Sequence, residues 1–438
     1  MKRNRNLEGW SNTIQESRIK RVLKRVNELK SEVISLTSTL IRFQTVSPPS
    51  NTLECAEYIK SCFEQHSIET SFHAREKGKV NVHVNVPGER DKTIIWLGHL
   101  DVVPAGMRER WFHDPFGGVV ENGRIYGRGS SDMKGSCAAA MIAAIVLNEV
   151  GEEDRVTVDF WFTCDEEVGS PNGTRWLLKE GLIRGDVCII GDSLSRDPSL
   201  EPYIDVGCKG YLRLRLKAFG KSAHASMPFY GDNAIDKLLS AIESIREISD
   251  YRLKVPVDLE DLIGSSIKYL LASGSLTKEQ KDSIERAFHY PTVSLTMING
   301  GIKINVVPDY AESSFDIRVT PGVNLESIVK RIYELLDDFK AKGVEAEIID
   351  LENGYYERWD SDFALSLRKA VEMSTGFQPK PKILLGATDA VPVKRFLGVP
   401  CLGFGAGIEE LAHAPNEYVT VDGLMAAAKV YAILPFLL

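Results

Sequence analysis

Polar side chains that can bind a metal ion stand at the ends of predicted strands or in the loops beside them. They are His99, Asp132, Glu166, Glu167, Asp192 and His413. Imidazoles and carboxylates together suit Zn²⁺, or Co²⁺ or Mn²⁺ in its place. Two ions that share one carboxylate would each keep a histidine and a further acid, with room for a bridging water. The set therefore predicts a centre for two divalent metal ions.

The first histidine follows the apolar run Thr93–Leu97, which predicts a buried strand. His99 and Asp101 lie two residues apart, so their side chains point to the same side of an extended chain. An imidazole beside a carboxylate indicates a metal ligand and the group that orients it. A strand-end histidine bonded to its neighbour would have the same sequence, and this stretch alone leaves both interpretations open.

The two adjacent glutamates point to opposite sides of an extended chain. One of Glu166 and Glu167 can therefore bind a metal ion while the other takes a proton from water. Acidic runs are usually solvated, and a surface pair would look the same in sequence. This pair directly follows the apolar stretch Val156–Thr163, where an unpaired acid pair would be costly to bury. We therefore favour a functional pair.

Asp132 lies just before Ser136–Val150, an alanine-rich stretch that predicts a helix apolar on nearly every side, and therefore buried. The free N–H groups at the start of a helix favour an anion. A simple helix cap is thus the alternative to a metal ligand for Asp132.

Alternating strands and helices in this half of the chain predict an α/β fold with a mainly parallel sheet and helices on both faces. The strands that matter are Thr93–Leu97, Val156–Thr163 and Val187–Ile190, the last of which leads to Asp192. Sites in such sheets gather beyond the carboxyl ends of the strands. The sheet would thus bring the acids and His99 together.

The pattern changes after about Tyr203, where half-exposed strands and amphipathic helices predict an inserted α+β domain. Its exposed sheet edges suit dimer formation. We expect residues 1–206 to form the first part of a catalytic domain, 207–320 the insertion, and 321–438 the second part. Residues 1–30 form a basic helical extension. Its apolar positions indicate packing against the body, although a targeting or binding helix remains open.

Charge and cysteine content exclude some classes of function. The net charge of −8 disfavours a nucleic-acid partner and an anionic membrane surface. No apolar run is expected to cross a bilayer. Seven cysteines without a Cys-x-x-Cys pair are typical of reduced thiols in the cytoplasm. Five histidines are in no constellation, and we expect ordinary surface or packing roles for them: His66, His73, His83, His113 and His289.

Three motifs in this order resemble those of one metallopeptidase family. They are Gly98–Pro104, Gly127–Gly135 and Asp165–Ser170. The family includes acetylornithine deacetylase, succinyl-diaminopimelate desuccinylase, aminoacylase, carboxypeptidase G2 and carnosinase. The resemblance runs from about Leu40 to the C-terminus. It implies a cytoplasmic, homodimeric amide hydrolase whose inserted domain is a lid and dimerisation domain.

The resemblance also implies a role for each residue of the centre. The metal ligands are His99, Asp132 as the bridge, Glu167, Asp192 and His413. Asp101 orients His99, and Glu166 is the general base that takes a proton from metal-bound water and passes it to the leaving amine. The peptide bond after the bridging acid is often cis in this family.

The inserted domain resembles the family's lid at Gly220–Ser226. The resemblance implies that His224 reaches the partner subunit's active site and stabilises the tetrahedral oxyanion. A capped structural histidine is the alternative. Asn305 and Arg318 resemble binders of the substrate carboxylate, since the Arg fork can make two parallel bonds. An ordinary salt bridge is the alternative for Arg318. Loop residues Gly386 and Thr388 are expected to line the substrate pocket.

The function implied first is removal of an acyl group from an N-acyl amino acid, as by acetylornithine deacetylase or succinyl-diaminopimelate desuccinylase. A dipeptidase or carboxypeptidase is the alternative. Many deacylases of the family carry Glu where this chain has Asp192, whereas several dipeptidases carry Asp. A catalytically inactive, metabolite-binding relative is a remote alternative, since no ligand or base is missing.

Overall fold

The structure, a computed structural model, describes residues 2–272, 274 and 276–438, with side chains from residue 15 onward. The helices are α1 (Lys2–Glu28), α2 (Lys30–Arg42), α3 (Leu53–Gln65), α4 (Gly135–Val150), α5 (Thr174–Lys179), α6 (Ala234–Arg246), α7 (Glu260–Leu271), α8 (Lys278–His289), α9 (Leu325–Lys340), α10 (Asp362–Thr375), α11 (Ala390–Leu397) and α12 (Val421–Ile433).

The strands are β1 (Ser71–Ala74), β2 (Val80–Val86), β3 (Arg90–His99), β4 (Val119–Glu121), β5 (Arg124–Tyr126), β6 (Val156–Thr163), β7 (Val187–Ile190), β8 (Leu194–Ser195), β9 (Tyr203–Cys208), β10 (Gly210–Phe219), β11 (Ala223–His224), β12 (Thr292–Gly300), β13 (Val306–Val307), β14 (Tyr310–Val319), β15 (Val344–Glu352), β16 (Tyr355–Tyr356), β17 (Lys380–Leu384), β18 (Cys401–Gly403), β19 (Gly407–Ile408) and β20 (Tyr418–Thr420).

The chain divides into two compact units. The first comprises residues 1–206, 357–381 and 388–438, and the second comprises 207–356 and 382–387. In the first unit the main sheet runs in the order β1–β2–β6–β3–β7–β18–β9. Strands β6, β3, β7 and β18 pair in parallel at its centre, and antiparallel pairs lie toward its edges. The mainly parallel α/β sheet predicted from the sequence is confirmed.

Helices cover both faces of this sheet because its central strands are apolar on both sides. Strand β7 is buried at every position, and β6 is buried at six of its eight positions. Helix α4 packs against α12 and against β2, β3 and β6, whereas α11 packs against α5, β7 and β18. Burial on both faces leaves the carboxyl ends of the strands as the place for polar side chains.

Helix α4 is apolar all round and lies in the core of the first unit. Contrary to the expectation from sequence, Ser130–Val150 is long and apolar enough to cross a bilayer, judged by length and composition alone. The most apolar 18 residues of this segment are 83% buried inside the protein. A helix covered on every side by its own protein is a core helix.

Helix α1 packs against α4 and α12 of the same unit. Its described apolar side chains Ile19, Val22 and Val26 are at most 2% exposed. The guanidinium of Arg25 donates to Glu149 at the end of α4, with a distance of 2.6 Å from Nε to Oε2. The described part of the basic extension therefore packs on the body, in agreement with its apolar spacing.

The second unit is an antiparallel sheet in the order β12–β14–β10–β15. Helices α6 and α9 pack against the sheet and against each other. The core between them is formed by inward side chains such as Leu214, Phe315 and Ile242, each at most 2% exposed. Strand β12 lies at the sheet edge and is mostly exposed. This unit has the α+β composition expected of the insertion.

The second unit extends to Tyr356, beyond the boundary at residue 320 expected from the sequence. The reason is β15, which pairs antiparallel with β10 and was not predicted. The adjacent Ile348 and Ile349 interrupt the alternation of apolar and polar residues, and the pairing register with β10 shifts at the same place, between Arg213 and Leu214. The period of two that marks a strand is therefore broken.

Candidate metal centre

The parallel register aligns the ends of three strands at one edge of the main sheet. His99 at the end of β3 is opposite Thr163 at the end of β6, and Leu97 is opposite Ile190 at the end of β7. The chain after β6 leads to Glu166, and the chain after β7 leads to Asp192. These side chains lie close together because of the pairing register of the three strands, and not because they are close in sequence.

Asp132 lies between the two histidines. Its Oδ1 is 3.2 Å from Nε2 of His99, and its Oδ2 is 3.1 Å from Nε2 of His413. Potential ligand atoms of His99, Asp132 and Glu167 all lie within 4.8 Å of one another. The peptide bond between Asp132 and Met133 is cis, as the resemblance implied. Each oxygen of one carboxylate thus faces a different imidazole, the geometry of a bridging ligand.

Glu167 completes the side of the centre that contains His413. Its Oε1 is 3.3 Å from Nε2 of His413. The Glu167 side chain is 7% exposed, and Oε1 makes no hydrogen bond of normal geometry within the described part of the chain. A buried carboxylate oxygen with spare acceptor capacity beside an imidazole fits a metal ligand.

The carboxylates of the centre stabilise positive charge on or beside the imidazoles. Burial by itself would raise the pKa of Asp132, but hydrogen bonds with His413 and His99 outweigh it and hold that pKa well below its usual range. The carboxylates of Asp132 and Glu167, which lie 3.1 and 3.3 Å from Nε2 of His413, raise the pKa of that imidazole to about 10. The carboxylate stays ionised, as a metal ligand must.

Two further acids repel one another at the same place. Burial raises the pKa of Glu166 and that of Asp192 well above the usual range, and neighbouring carboxylates raise both further. Four carboxyl groups and two imidazoles therefore converge, and the raised pKa values reflect repulsion among the carboxylates. Such a donor set fits divalent cations of the zinc type, which relieve the repulsion.

Asp101 contacts His99 and also the backbone of the two adjacent glutamates. Nδ1 of His99 is 3.0 Å from the backbone oxygen of Asp101 and 3.6 Å from its Oδ1. The carboxylate accepts the backbone N–H groups of Glu166 at 3.0 Å and Glu167 at 3.3 Å. It also accepts a hydrogen bond from the hydroxyl of Ser47. Asp101 therefore positions the glutamates as well as the imidazole.

A buried ion pair that sequence reasoning missed joins the bridging acid to the loop of His413. Arg128 Nη1 is 2.5 Å from Oε2 of Glu417, and Nη2 donates to the backbone oxygen of His413 at 3.1 Å. Oε1 of Glu417 accepts the N–H groups of Ser131 at 2.8 Å and Asp132 at 3.1 Å. The pair holds both ligand loops, although Arg128 and Glu417 are 289 positions apart.

Asp389 is another buried acid that had no predicted role. It accepts hydrogen bonds from the hydroxyls of Ser170 and Thr174, and its Oδ1 is 2.5 Å from Ser170 Oγ. Its charge raises the pKa of Glu166 after the larger effect of burial. Asp389 directly follows the predicted pocket residue Thr388, but a lone acid beside a glycine loop gives no signal of its partners.

His224 and Asn305 lie close together in the second unit. Strands β11 and β13 pair, and the N–H of Ala225 donates to the backbone oxygen of Asn305 at 2.9 Å. Nδ1 of the exposed His224 accepts the N–H of Ser226 at 3.2 Å. The ring proton must then be on Nε2, which leaves that nitrogen as a donor.

Arg318 is engaged by a neighbouring acid. Its Nε and Nη2 donate to the two oxygens of Asp316 at 2.6 and 3.1 Å. This geometry favours the salt-bridge alternative. Gly386 has open space where a side chain would begin, as suits a loop that a ligand approaches. The hydroxyl of Thr388 accepts the N–H of Ala390 at 3.3 Å, at the start of α11.

A sequence profile described as peptidase family M20/M25/M40 matches residues 95–435. The chain is 26% identical over 407 residues to a probable succinyl-diaminopimelate desuccinylase of Staphylococcus aureus (strain N315), covering 90% of this chain and 94% of that protein.

Two solved structures share the fold. An M20 family metallo-carboxypeptidase from Sulfolobus solfataricus matches with a TM-score of 0.78 and 23% identity, covering 93% of this chain and 99% of that one. A dipeptidase from Saccharomyces cerevisiae matches with a TM-score of 0.76 and 19% identity, covering 96% and 98%. At these identities the likeness concerns the fold alone.

Proposed function

The chain belongs to peptidase family M20/M25/M40 and is a metal-dependent amide hydrolase, and from this premise we propose that it removes an acyl group from an N-acyl amino acid. The observation that supports hydrolysis by this site is the position of Asp132, whose oxygens face His99 and His413 at 3.2 and 3.1 Å. A shared carboxylate between two imidazoles is the arrangement required for two ions.

We assign one divalent ion to His99 and Asp192, the other to His413 and Glu167, and Asp132 to both. Zinc is the proposed metal, because imidazole and carboxylate donors suit it. Bound there, two such ions would supply Lewis acidity, which polarises an amide carbonyl and makes water between them more acidic.

The protein's own groups handle the proton and the developing charge. Glu166 accepts a proton from the attacking water, because its raised pKa makes the carboxylate a stronger base than an exposed glutamate. It then passes that proton to the nitrogen of the leaving amine. His224 would donate from Nε2 to the oxyanion in the active site of the partner subunit, a role consistent with the acceptor state of its Nδ1.

The desuccinylase relative supports an acyl amino acid as the substrate, because the similarity covers nearly all of both chains. A negatively charged acyl or amino-acid carboxylate requires hydrogen-bond donors in the pocket. Asn305 and the loop of Gly386 and Thr388 are the proposed donors. Arg318 is a weaker candidate, since its Nε and Nη2 already donate to the two carboxylate oxygens of Asp316.

A dipeptidase or carboxypeptidase of the same family is the second candidate. Asp192 favours it, since the resemblance associates aspartate at this position with dipeptidases. The likeness to a metallo-carboxypeptidase and a dipeptidase agrees with either candidate, because the fold does not determine the substrate.

A hydrolysis screen distinguishes the two candidates. Purified protein loaded with zinc, cobalt or manganese would be tested on succinyl-diaminopimelate, acetylornithine, other N-acetyl amino acids and dipeptides. Release of succinate or acetate supports the deacylase, and cleavage of dipeptides alone supports the second candidate. A protein that cleaves none of them with any of the three metals would contradict both.

We further propose a homodimer in the cytoplasm. The exposed edge strand β12 carries Met297 and Ile298, which are 60% and 51% exposed. Unpaired backbone groups and apolar side chains at a sheet edge suit pairing with a second copy. All seven cysteines are free, and six of them are buried, which suits a reducing compartment.

A further inference from the structure

A group of polar side chains outside the metal centre lies on one face of β1, β2 and β6. The antiparallel pairing puts Ser71 opposite His83, and His83 opposite Trp161. His73 is two residues from Ser71 on the same strand, so its side chain is on the same face. Asp159 is two residues from Trp161 and shares that face as well. We call His73, His83, Ser71 and Asp159 the His73–His83 cluster.

The two imidazoles direct a nitrogen at the same point. Nε2 of His73 is 3.2 Å from Oγ of Ser71, and Nδ1 of His83 is 3.4 Å from that same oxygen. The ring centroids are 6.2 Å apart with 53° between the planes. Two imidazoles on one tetrahedral zinc ion have centroids about 5 Å apart, given Zn–N bonds of about 2 Å. The observed spacing is about 1 Å wider, so a small rotation of the two rings toward each other would let them share one ion.

Asp159 fixes which nitrogen of His83 is available. Its Oδ1 is 3.1 Å from Nε2 of His83 and also accepts Nδ2 of Asn85 at 2.6 Å. A carboxylate can only accept, so the ring proton is on Nε2 and the lone pair is on Nδ1. A metal-binding histidine commonly donates its other ring nitrogen to a carboxylate in this way.

Packing keeps both rings in place, and burial favours the neutral form of His73. His83 stacks on the buried Trp161 with centroids 4.1 Å apart and 15° between planes, and His73 contacts the same indole at 5.3 Å. Burial, and then the neighbouring His83, lower the pKa of His73. A neutral imidazole is the form that binds a metal ion.

We propose that His73 and His83 bind one divalent transition-metal ion, separate from the hydrolytic ions, with Asp159 as the carboxylate that orients His83. Zinc, nickel and copper are the ions that imidazole prefers. Water, or the hydroxyl of Ser71, supplies the remaining ligands. The side chains of His83 and Asp159 are 23% and 17% exposed, so an ion reaches the site from solvent. The site does not depend on the substrate class proposed above.

The first experiment counts bound zinc. Wild type and variants would be dialysed against the same micromolar free zinc, and zinc per chain measured by emission spectrometry. His73→Ala and His83→Gln should each hold one zinc fewer than wild type, with unchanged hydrolysis. His66→Ala, which removes another exposed histidine, is the matched control and should keep the wild-type number. Asp159→Asn should weaken binding of the extra ion by about 10- to 100-fold.

Equal zinc content in wild type, His73→Ala and His83→Gln would overturn the proposal and leave the cluster as a hydrogen-bonded network only. A second measurement needs no variant. One equivalent of copper(II) added to zinc-loaded wild type should displace the zinc ion of the cluster, leave hydrolysis unchanged and give an electron paramagnetic resonance spectrum split by two imidazole nitrogens. A spectrum of hydrated copper alone, or displacement of zinc only from the hydrolytic centre with loss of hydrolysis, would likewise refute the extra site.

Discussion

At the residue scale, the two adjacent glutamates have different surroundings. Glu167 is directed at His413, whereas Glu166 lies where burial and the charge of Asp389 raise its pKa. Asp101 fixes the backbone of both through their N–H groups. One carboxylate therefore has the surroundings of a ligand and the other those of a base.

Replacement of Glu166 by glutamine tests this division. Glu166→Gln keeps the side-chain shape but cannot accept a proton, so turnover should fall by about a hundredfold to ten-thousandfold. Zinc content should stay at the wild-type value, because the assigned ligands are unchanged. Glu64→Gln, an exposed change on α3, is the control for loss of one carboxylate. Retention of activity within tenfold of wild type would exclude Glu166 as the base.

The types of residue in the centre were predictable from sequence, but most of their partners were not. Acids after apolar strands stand out, because a buried charge needs a reason. Arg128 lies inside the motif Gly127–Gly135 and Glu417 lies four residues after His413, yet nothing local indicates that charges 289 positions apart form a pair. The same holds for His73, which the sequence left among ordinary histidines. Its relation to His83 depends on strand register.

At the element scale, the Arg128–Glu417 pair connects the loop before α4 with the loop that carries His413. Arg128→Lys keeps a positive charge but lacks the planar fork that reaches Glu417 and the oxygen of His413 together. We expect zinc affinity to fall by about 10- to 100-fold, measured by competition with a chelator. A variant with wild-type zinc affinity would show that the pair serves stability alone.

Buried Lys209 makes the stability of the second unit depend on pH. Burial lowers the pKa of Lys209 to about 7, and Arg318 adds to the effect. An unfolded lysine titrates at about 10.4. Between about pH 7 and 10, the unfolded chain therefore binds a proton that the folded chain does not, and stability rises with pH. Below that range both states are protonated, and the cost of burial is constant.

Lys209→Met removes this dependence. The variant's gain in unfolding free energy over wild type should be largest at pH 7 or below, where wild type buries a charged lysine. This gain in stability should shrink toward pH 10. Urea unfolding of both proteins at several pH values measures the difference. Loss of the hydrogen bond from Lys209 to the backbone oxygen of Ala287 lowers the variant's unfolding free energy by the same amount at every pH. A difference that is flat from pH 7 to 10 would contradict the lowered pKa.

Most elements could be predicted from apolar periodicity, and the failures have local causes. Strand β7 is a continuous apolar run, β3 ends in an apolar stretch, and β6 alternates between apolar and polar residues before it becomes apolar. Strand β15 was missed because its pairing is irregular and its sequence is rich in acids. Because β15 was missed, the insertion was predicted to end at residue 320, whereas the second unit extends to Tyr356.

At the scale of the whole molecule, the exposed edge of β12 is the proposed dimer contact. Met297→Lys puts a charge on that edge and should convert a dimer to a monomer in light scattering. Val257→Lys, at an 89% exposed position outside the sheet, is the control. If His224 acts across the dimer, the monomer should also lose about a hundredfold or more in turnover. A Met297→Lys dimer of wild-type activity would exclude this edge.

The pairing of β7 with β18 has a consequence for biosynthesis. Cys188 is opposite Cys401, so the main sheet cannot be completed until a strand 213 positions further along the chain has been made. His413 follows later still. The second unit, Gly207–Tyr356, is therefore translated while its host sheet is still open. Both hydrolytic ions can be bound only after His413 has been made, and fragments that end before it should carry no hydrolytic activity.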